Sequence, residues 1–136
     1  MTEPRYMLDT NAASHVIKGA FPAIREKLAR VPMESVSVSA ITEAELLFGV
    51  ARRPDAPGLE TAVGEFLLRL DVLAWDSAAA RAYAGLRGRL ERAGTPLGAL
   101  DTLIAAHALA ADAVLVTNDK AFGKVKGLKV ADWARG

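Results

Sequence analysis

The stretch LGALDTLIAAHALAADAVLVTND, residues 97–119, combines a predicted helix, a predicted strand and the aspartates Asp101 and Asp119. Residues 97–111 are apolar on almost every side of a helical projection, which predicts a buried helix. Residues 113–119 start with a short apolar run and end in Thr, Asn and Asp, which predicts a strand that ends at a carboxylate. A helix that leads directly into a strand is typical of a fold in which helices alternate with parallel strands.

The rest of the chain continues this alternation. Further strands are predicted at residues 5–9, 35–39, 71–76 and 128–130. Further helices are predicted at about 11–18, 22–30, 40–53, 59–70 and 77–92. The strict polar and apolar alternation of SVSVS (35–39) predicts a half-buried strand. We therefore expect an α/β fold: one domain over residues 1–136, with a central, mostly parallel sheet flanked by helices on both faces.

Composition narrows the class of protein. The chain has 136 residues, 51% of them hydrophobic, and no cysteine, so disulfides, thiol catalysis and cysteine-bound zinc are excluded. The N-terminus lacks the layout of a signal peptide and no apolar stretch approaches the length of a membrane span, so we expect a cytoplasmic protein. Net charge is only +1. Four arginines on the predicted helix 77–92 indicate either a solvated face or a surface that attracts a polyanion.

Three predicted strands end in an aspartate: Asp9, Asp76 and Asp119. In open α/β sheets, ligands bind outside the carboxyl ends of the strands. Asp76 precedes SAAARAY and fits a helix N-cap. Asp9 in DTN and Asp119 in TND fit either a cap or a cation ligand, and each position taken singly leaves both interpretations open.

Asp101 is harder to explain as a structural residue. The residues three, four and seven positions further on are Ile104, Ala105 and Ala108, so its helix face is apolar. An ionised carboxylate in such surroundings requires a partner. The partner is either an arginine or a cation shared with other carboxylates, and we favour the cation.

A fourth acid lies in ITEAELLFGV (41–50), which contains Glu43 and Glu45. Helical geometry groups Glu45 with Thr42, Gly49 and Arg52 in a polar stripe, but periodicity alone does not choose between the two glutamates. The histidines are not candidates for this site, because His15 is expected on a helix surface and His107 in a helix seam.

Four stretches in order resemble the PIN-domain ribonuclease toxins, the VapC family of type II toxin–antitoxin systems. They are MLDTN, SAITEAELLFGV, GTPLGALDTLIAAHAL and LVTNDKAFGKVKGLKVADW, and they cover the chain from end to end. The resemblance selects Glu45 and implies an acidic quartet of Asp9, Glu45, Asp101 and Asp119. It also implies that Asn11 and Thr117 help to hold the acids, although turn and cap roles remain equally compatible.

Oxygen-only ligands suit Mg2+ or Mn2+. We assign Asp9 and Asp101 as the primary metal ligands. Asp119 would complete the coordination directly or through water, and Glu45 would orient water or a second cation. A metal-activated water is then the economical nucleophile.

The resemblance implies a metal-dependent endoribonuclease toxin that cleaves structured RNA, a tRNA or an rRNA loop. It also implies a homodimer silenced by a VapB-type antitoxin, with operator DNA bound only through the antitoxin. One alternative is a PIN-fold subunit that acts with its antitoxin as a DNA-bound repressor with little catalysis. Another is an aspartyl-phosphate phosphotransferase using Asp9, for which the sequence offers no second aspartate or suitably placed lysine.

Overall fold

Five parallel strands form a single sheet in the computed structural model, which describes residues 4–19 and 21–135. The strands are β1 (Tyr6–Leu8), β2 (Val36–Ser39), β3 (Asp71–Leu73), β4 (Val114–Val116) and β5 (Val130–Ala131). Their order is β3-β2-β1-β4-β5, and every neighbouring pair is parallel. The central β1 therefore ends between the ends of β2 and β4, where residues from three segments can meet.

Six α-helices connect or follow the strands in the described residues. They are α1 (Thr10–Lys18), α2 (Pro22–Arg30), α3 (Ala40–Ala51), α4 (Pro57–Arg69), α5 (Ser77–Ala93) and α6 (Ala99–Ala110). Short 3-10 turns cover Met33–Ser35, Lys120–Lys124 and Trp133–Arg135. None of the helices in the described ranges has the length and apolarity needed to cross a membrane.

The sheet has a core on each face. Met7 packs with residues of α5 and α6, whereas its neighbour Leu8 packs with residues of α1 to α4. This division follows from the two-residue period of a strand, which sends successive side chains to opposite faces. The predicted α/β fold, with a parallel sheet covered by helices on both faces, is confirmed. The predicted domain of residues 1–136 includes residues 1–3, 20 and 136, which lie outside the described part.

SVSVS forms the predicted strand over Val36–Ser39, but the prediction that this strand is half-buried is wrong. All four residues of β2 are buried, because a strand between two parallel neighbours is covered by helices on both sides. The serines are accommodated by hydrogen bonds: the Ser37 hydroxyl donates to the Tyr6 carbonyl at 2.8 Å. Alternation of Ser and Val therefore marked two different kinds of buried contact, one polar and one apolar.

Several predicted boundaries shift by a few residues. The strand predicted over 71–76 ends at Leu73, and Asp76 instead caps α5 by accepting from the Ala79 N–H at 3.0 Å. The last strand is Val130–Ala131 rather than 128–130. Helix α1 ends where predicted, at Gly19, whose φ of 67° lies in the left-handed region that glycine tolerates.

Candidate metal and nuclease site

The four predicted acids lie near the carboxyl edge of the sheet. Asp9 follows β1, and Glu45 lies on α3, the helix that follows β2. Asp119 comes three residues after β4, and Asp101 is in the first turn of α6. Because β1 lies between β2 and β4, the topology gathers segments that are more than 100 positions apart in the sequence.

Asp9 is the most buried of the four, with only 4% of its surface exposed. Its Oδ1 accepts a hydrogen bond from the Ala12 N–H at 2.7 Å and so caps α1. Burial raises the pKa of Asp9, and the charges of Asp101 and Asp119 raise it further. Hydrogen bonds from Thr117 and Ala12 act in the opposite direction. Asp9 is therefore a buried carboxylate whose ionised form is costly in the cation-free protein.

Asp101 is half-buried at the start of α6. Its pKa is raised by burial and then by the negative charges of Asp119 and Glu45. Ion pairs among the described side chains include Arg87–Glu91 and Lys129–Asp112, and no described basic side chain pairs with Asp101. The arginine partner considered from the sequence is thus absent from the described side chains, and Asp101 is surrounded by like charges.

Glu45 is held by a threonine that the sequence analysis did not select. The Thr10 hydroxyl donates to Glu45 Oε1 at 2.6 Å, and the Thr42 hydroxyl oxygen lies 3.2 Å from that of Thr10. Glu43 makes no ion pair with any basic side chain in the described residues. The polar stripe that contains Thr42 and Glu45 therefore faces Thr10, the first residue of α1. The polar stripe predicted on this helix was the feature of the sequence that could have indicated a polar partner such as Thr10.

Asp119 is exposed and caps the 3-10 turn that follows β4. Its Oδ1 accepts from the Ala121 N–H at 2.9 Å, and its own N–H donates to the Thr117 hydroxyl at 3.0 Å. Thr117 is buried and contacts Asp9 as well as Asp119. Asn11 is exposed, and no hydrogen bond joins its side chain to another described residue. Of the two predicted supporting residues, Thr117 hydrogen-bonds to the acids, whereas the Asn11 side chain makes no hydrogen bond to them in the described part of the chain.

The four acids influence one another electrostatically, but their side chains do not form a preformed cation site. The charges of Asp101 and Asp119 act on Asp9, and those of Asp119 and Glu45 act on Asp101. In the part of the chain that is described, no three acidic or histidine side chains are close enough to form a ready cation site. The donor set still fits Mg2+ or Mn2+, because these ions take oxygen ligands and keep several waters that bridge longer gaps.

An open groove of about 660 Å³ lies beside Glu45, between α1, α3 and the start of α4. Leu100 of α6 and the exposed Phe48 of α3 contribute apolar surface to it. Arg52 and Arg53 contribute positive charge, and the Arg52 guanidinium lies 5.5 Å from the centre of the Phe48 ring. The groove thus combines apolar and basic surface next to an acid of the predicted quartet.

Comparison with known protein families identifies a match over most of the chain. The family model described as the PIN domain matches residues 6–128. The tRNA(fMet)-specific endonuclease VapC of Salmonella typhimurium is 38% identical over 131 residues, covering 95% of this chain and 98% of that protein. The protein of the same name from Shigella flexneri is 36% identical over 132 residues, covering 96% and 98%.

Solved structures agree with this match. DNA-bound VapBC from Salmonella typhimurium superposes with a TM-score of 0.90 at 34% identity, covering 96% of this chain and 99% of that chain. VapBC2 from Rickettsia felis, bound to a DNA fragment from its promoter, gives a TM-score of 0.84 at 32% identity, covering 93% and 96%.

Proposed function

This chain belongs to the PIN-domain family, and on that premise we propose that it is a metal-dependent endoribonuclease, the toxin of a VapBC-type toxin–antitoxin system. The observation that carries the proposal is the group of four carboxylates at the carboxyl edge of the sheet. Among the described residues these acids repel one another and have no basic partner. Such a group gains stability when a divalent cation binds.

Each acid has a distinct place in the proposed mechanism. Asp9 and Asp101 would hold the cation, Asp119 would complete its coordination directly or through water, and Glu45 would orient the attacking water or hold a second cation. When bound, Mg2+ or Mn2+ would lower the pKa of a coordinated water and stabilise the charge that develops on the phosphoryl group.

The chain's own hydrogen bonds support these roles. Thr10 restricts Glu45 by donating to Oε1, and Thr117 accepts from the Asp119 N–H. The Ala12 N–H orients the Asp9 carboxylate from the start of α1. Asn11, at the exposed start of α1, would support the site only by contacts made with the cation or the substrate.

RNA is the substrate favoured by charge as well as by family. Setting aside the four acids leaves 17 basic residues against 12 of the 16 acidic ones. Arg81, Arg89 and Arg92 are exposed on α5, whereas Arg87 is paired with Glu91 at 2.8 Å. A positive surface around a cation-filled site attracts phosphates, and an accessible loop of a tRNA or rRNA supplies exposed bases for selection.

The proposal includes protein partners. A VapB-type antitoxin would cover the groove beside Glu45, where Phe48, Arg52 and Arg53 offer apolar and basic contacts. Exposed Leu47 and Leu68, which are half and almost nine-tenths accessible, support burial against a second protein surface, including a homodimer. Operator DNA would be bound through the antitoxin, and the complex would act in the cytoplasm.

The test is cleavage of RNA by the purified chain freed of any partner. Cleavage is expected with Mg2+ or Mn2+ and not with EDTA, and Asp9→Asn and Asp101→Asn should each abolish it. Asp112→Asn is the matched control, because Asp112 is exposed and its φ of 51° suits asparagine. Mapping RNA ends in cells after induction identifies the target. Full activity in both acid variants would overturn the proposed site.

A second function is favoured by the DNA-bound relatives. In it, the chain is a PIN-fold subunit that acts with its antitoxin as a repressor and contributes little catalysis. The absence of a ready three-ligand cation site among the described residues is compatible with this reading. Operator binding by the complex, with no RNA cleavage by the free chain at millimolar Mn2+, would favour the repressor over the ribonuclease.

A further inference from the structure

His107 is a buried polar residue in an otherwise apolar part of α6. Only 4% of its surface is exposed, and its neighbours Ala105, Ala106 and Ala108 are fully buried. Its Nδ1 lies 2.7 Å from the Ser39 hydroxyl oxygen. The imidazole therefore has a specific hydrogen-bond partner and does not only fill space between helices. The predicted acids do not include it, and its position requires an explanation of its own.

Ser39 connects His107 to the helix that carries Glu45. It is the last residue of β2 and the N-cap of α3, and its Oγ accepts from the Ile41 N–H at 3.0 Å. The remaining hydroxyl proton is available to donate to Nδ1. The Ala74 backbone also acts on His107. A proton on Nε2 would let the ring donate to the Ala74 carbonyl while Nδ1 accepts from Ser39.

The neutral imidazole is the form that suits these contacts. Burial lowers the pKa of His107, while the charge of Asp76 and the Ala74 hydrogen bond act in the opposite direction. A neutral ring with its proton on Nε2 accepts from Ser39 and donates to Ala74 at the same time. Through Ser39, His107 connects α6 to the end of β2.

A second hydrogen bond holds the same helix. Trp75 Nε1 donates to the Leu103 carbonyl at 3.0 Å, one turn before His107. The buried apolar side chains of α6 are Ile104 and the small Ala105, Ala106 and Ala108, which share a core with Leu86 and Leu90 of α5. The directional hydrogen bonds at Leu103 and His107 add to this packing, because they tie α6 to Trp75 and Ser39 at defined positions.

We propose that His107 is a positioning residue for the acidic site: through Ser39 it sets the place of Asp101 relative to Glu45. Asp101 lies six residues before His107 on α6, and Glu45 lies six residues after Ser39 on α3. The contact between His107 and Ser39 joins α6 to the N-cap of α3, and six residues further from this contact on each helix the charge of Glu45 acts on Asp101. The inference rests on the proposed metal site and adds the residue that determines its spacing.

The test measures Mn2+ binding to the RNA-free protein by electron paramagnetic resonance, together with kcat and KM for RNA cleavage. His107→Leu is expected to weaken Mn2+ binding and lower kcat about tenfold each, with KM unchanged, as for residues that orient metal ligands. His107→Asn retains an oxygen close to the position of Nδ1 and should recover most of both. Imidazole 15N shifts in the wild-type protein should report the Nε2–H form.

Ile104→Ala is the matched control, because Ile104 is a buried α6 residue without a hydrogen-bonding side chain. It should lower Tm while leaving Mn2+ affinity near wild type. If His107→Leu does not fold, Ser39→Ala removes the same hydrogen bond from the other side and should weaken Mn2+ binding similarly.

Wild-type Mn2+ affinity and kcat in folded His107→Leu would overturn the inference. Equal losses of affinity in Ile104→Ala and His107→Leu would also overturn it, since general destabilisation would then suffice. If the wild-type chain binds Mn2+ but cleaves no RNA, the ribonuclease proposal fails while the affinity comparison still decides the role of His107. If it binds no Mn2+, both proposals fail.

Discussion

Replacing Asp9 by asparagine or by alanine separates two roles of this side chain. As a cap, Asp9 accepts from the Ala12 N–H. Asparagine caps a helix about as well as aspartate, whereas alanine has no acceptor, so Asp9→Ala should lower the free energy of unfolding by about 1 kcal/mol relative to Asp9→Asn. For a domain of this size, that difference corresponds to about 3–5 °C in Tm.

The charge of Asp9 has the opposite effect on the cation-free protein. Burial, together with Asp101 and Asp119, raises the pKa of Asp9. The folded state therefore disfavours the ionised carboxylate at neutral pH, and Asp9→Asn should have a Tm at or above that of the wild type in EDTA. With Mg2+ at 100 times its Kd, the wild type should gain about 2.7 kcal/mol, and Asp9→Asn should gain almost nothing.

Thermal unfolding can be followed by circular dichroism in EDTA and across a Mg2+ titration. These scans measure the cap energy, the Tm of Asp9→Asn without cation and the stabilisation by Mg2+. Asp76→Ala is the control, since Asp76 caps α5 in the same way through the Ala79 N–H and lies outside the quartet. It should lose the cap energy and keep the full Mg2+ gain. An Asp9→Asn protein that Mg2+ stabilises as strongly as the wild type would refute Asp9 as a cation ligand.

Three further predictions concern Glu45, its hydrogen-bond partner Thr10 and the pH dependence of stability. Glu45→Gln should lower kcat for RNA cleavage about 100-fold, whereas Glu43→Gln should leave it near wild type, and equal activities would remove the preference for Glu45. Thr10→Val should remove the hydrogen bond to Glu45 Oε1 and lower kcat about tenfold with an unchanged substrate KM, measured in the same assay. Because the pKa values of Asp9 and Asp101 are raised above their ordinary 3.8, the cation-free folded state binds more protons than the unfolded chain. The contribution of these two carboxyls to the free energy of unfolding should therefore fall as pH rises from about 4 through the folded pKa values. Denaturant titrations in EDTA at a series of pH values would contradict this if Asp9→Asn kept the full wild-type dependence of stability on pH.

The fold was predictable because strands and helices have different periods and alternate along this chain. The error at β2 has a physical cause. Alternation of polar and apolar residues usually indicates a strand with one solvent-exposed face, but a parallel sheet is covered by helices on both faces. Ser37 and Ser39 are buried because each finds a hydrogen-bond partner, Tyr6 and His107, and a one-dimensional pattern contains no information on such partners.

The site was predictable to a similar extent. Ligands bind outside the carboxyl ends of parallel strands, which made Asp9 and Asp119 candidates for a cation site. The strand order that places β1 beside β4 was not predicted, and family resemblance supplied the grouping of the four acids. The choice of Glu45 over Glu43 was not available from periodicity, because the distinguishing contact is with Thr10, 35 positions away. Family resemblance supplied that choice, and the contact with Thr10 is consistent with it.

Capping and cation binding are not alternatives for a strand-end aspartate. A carboxylate has two oxygens and about four acceptor sites, and the caps at Asp9 and Asp119 each use one oxygen for a backbone N–H. That hydrogen bond fixes the orientation of the carboxylate before any cation arrives, which lowers the entropy lost when the cation binds. The stabilisation from these caps is present with or without a cation. The first turn of α1 and the 3-10 turn after β4 therefore stay capped even when the carboxylates repel one another. The same two aspartates therefore stabilise the fold through one oxygen and oppose it through their charge, and in the proposed site a bound cation would remove only the second effect.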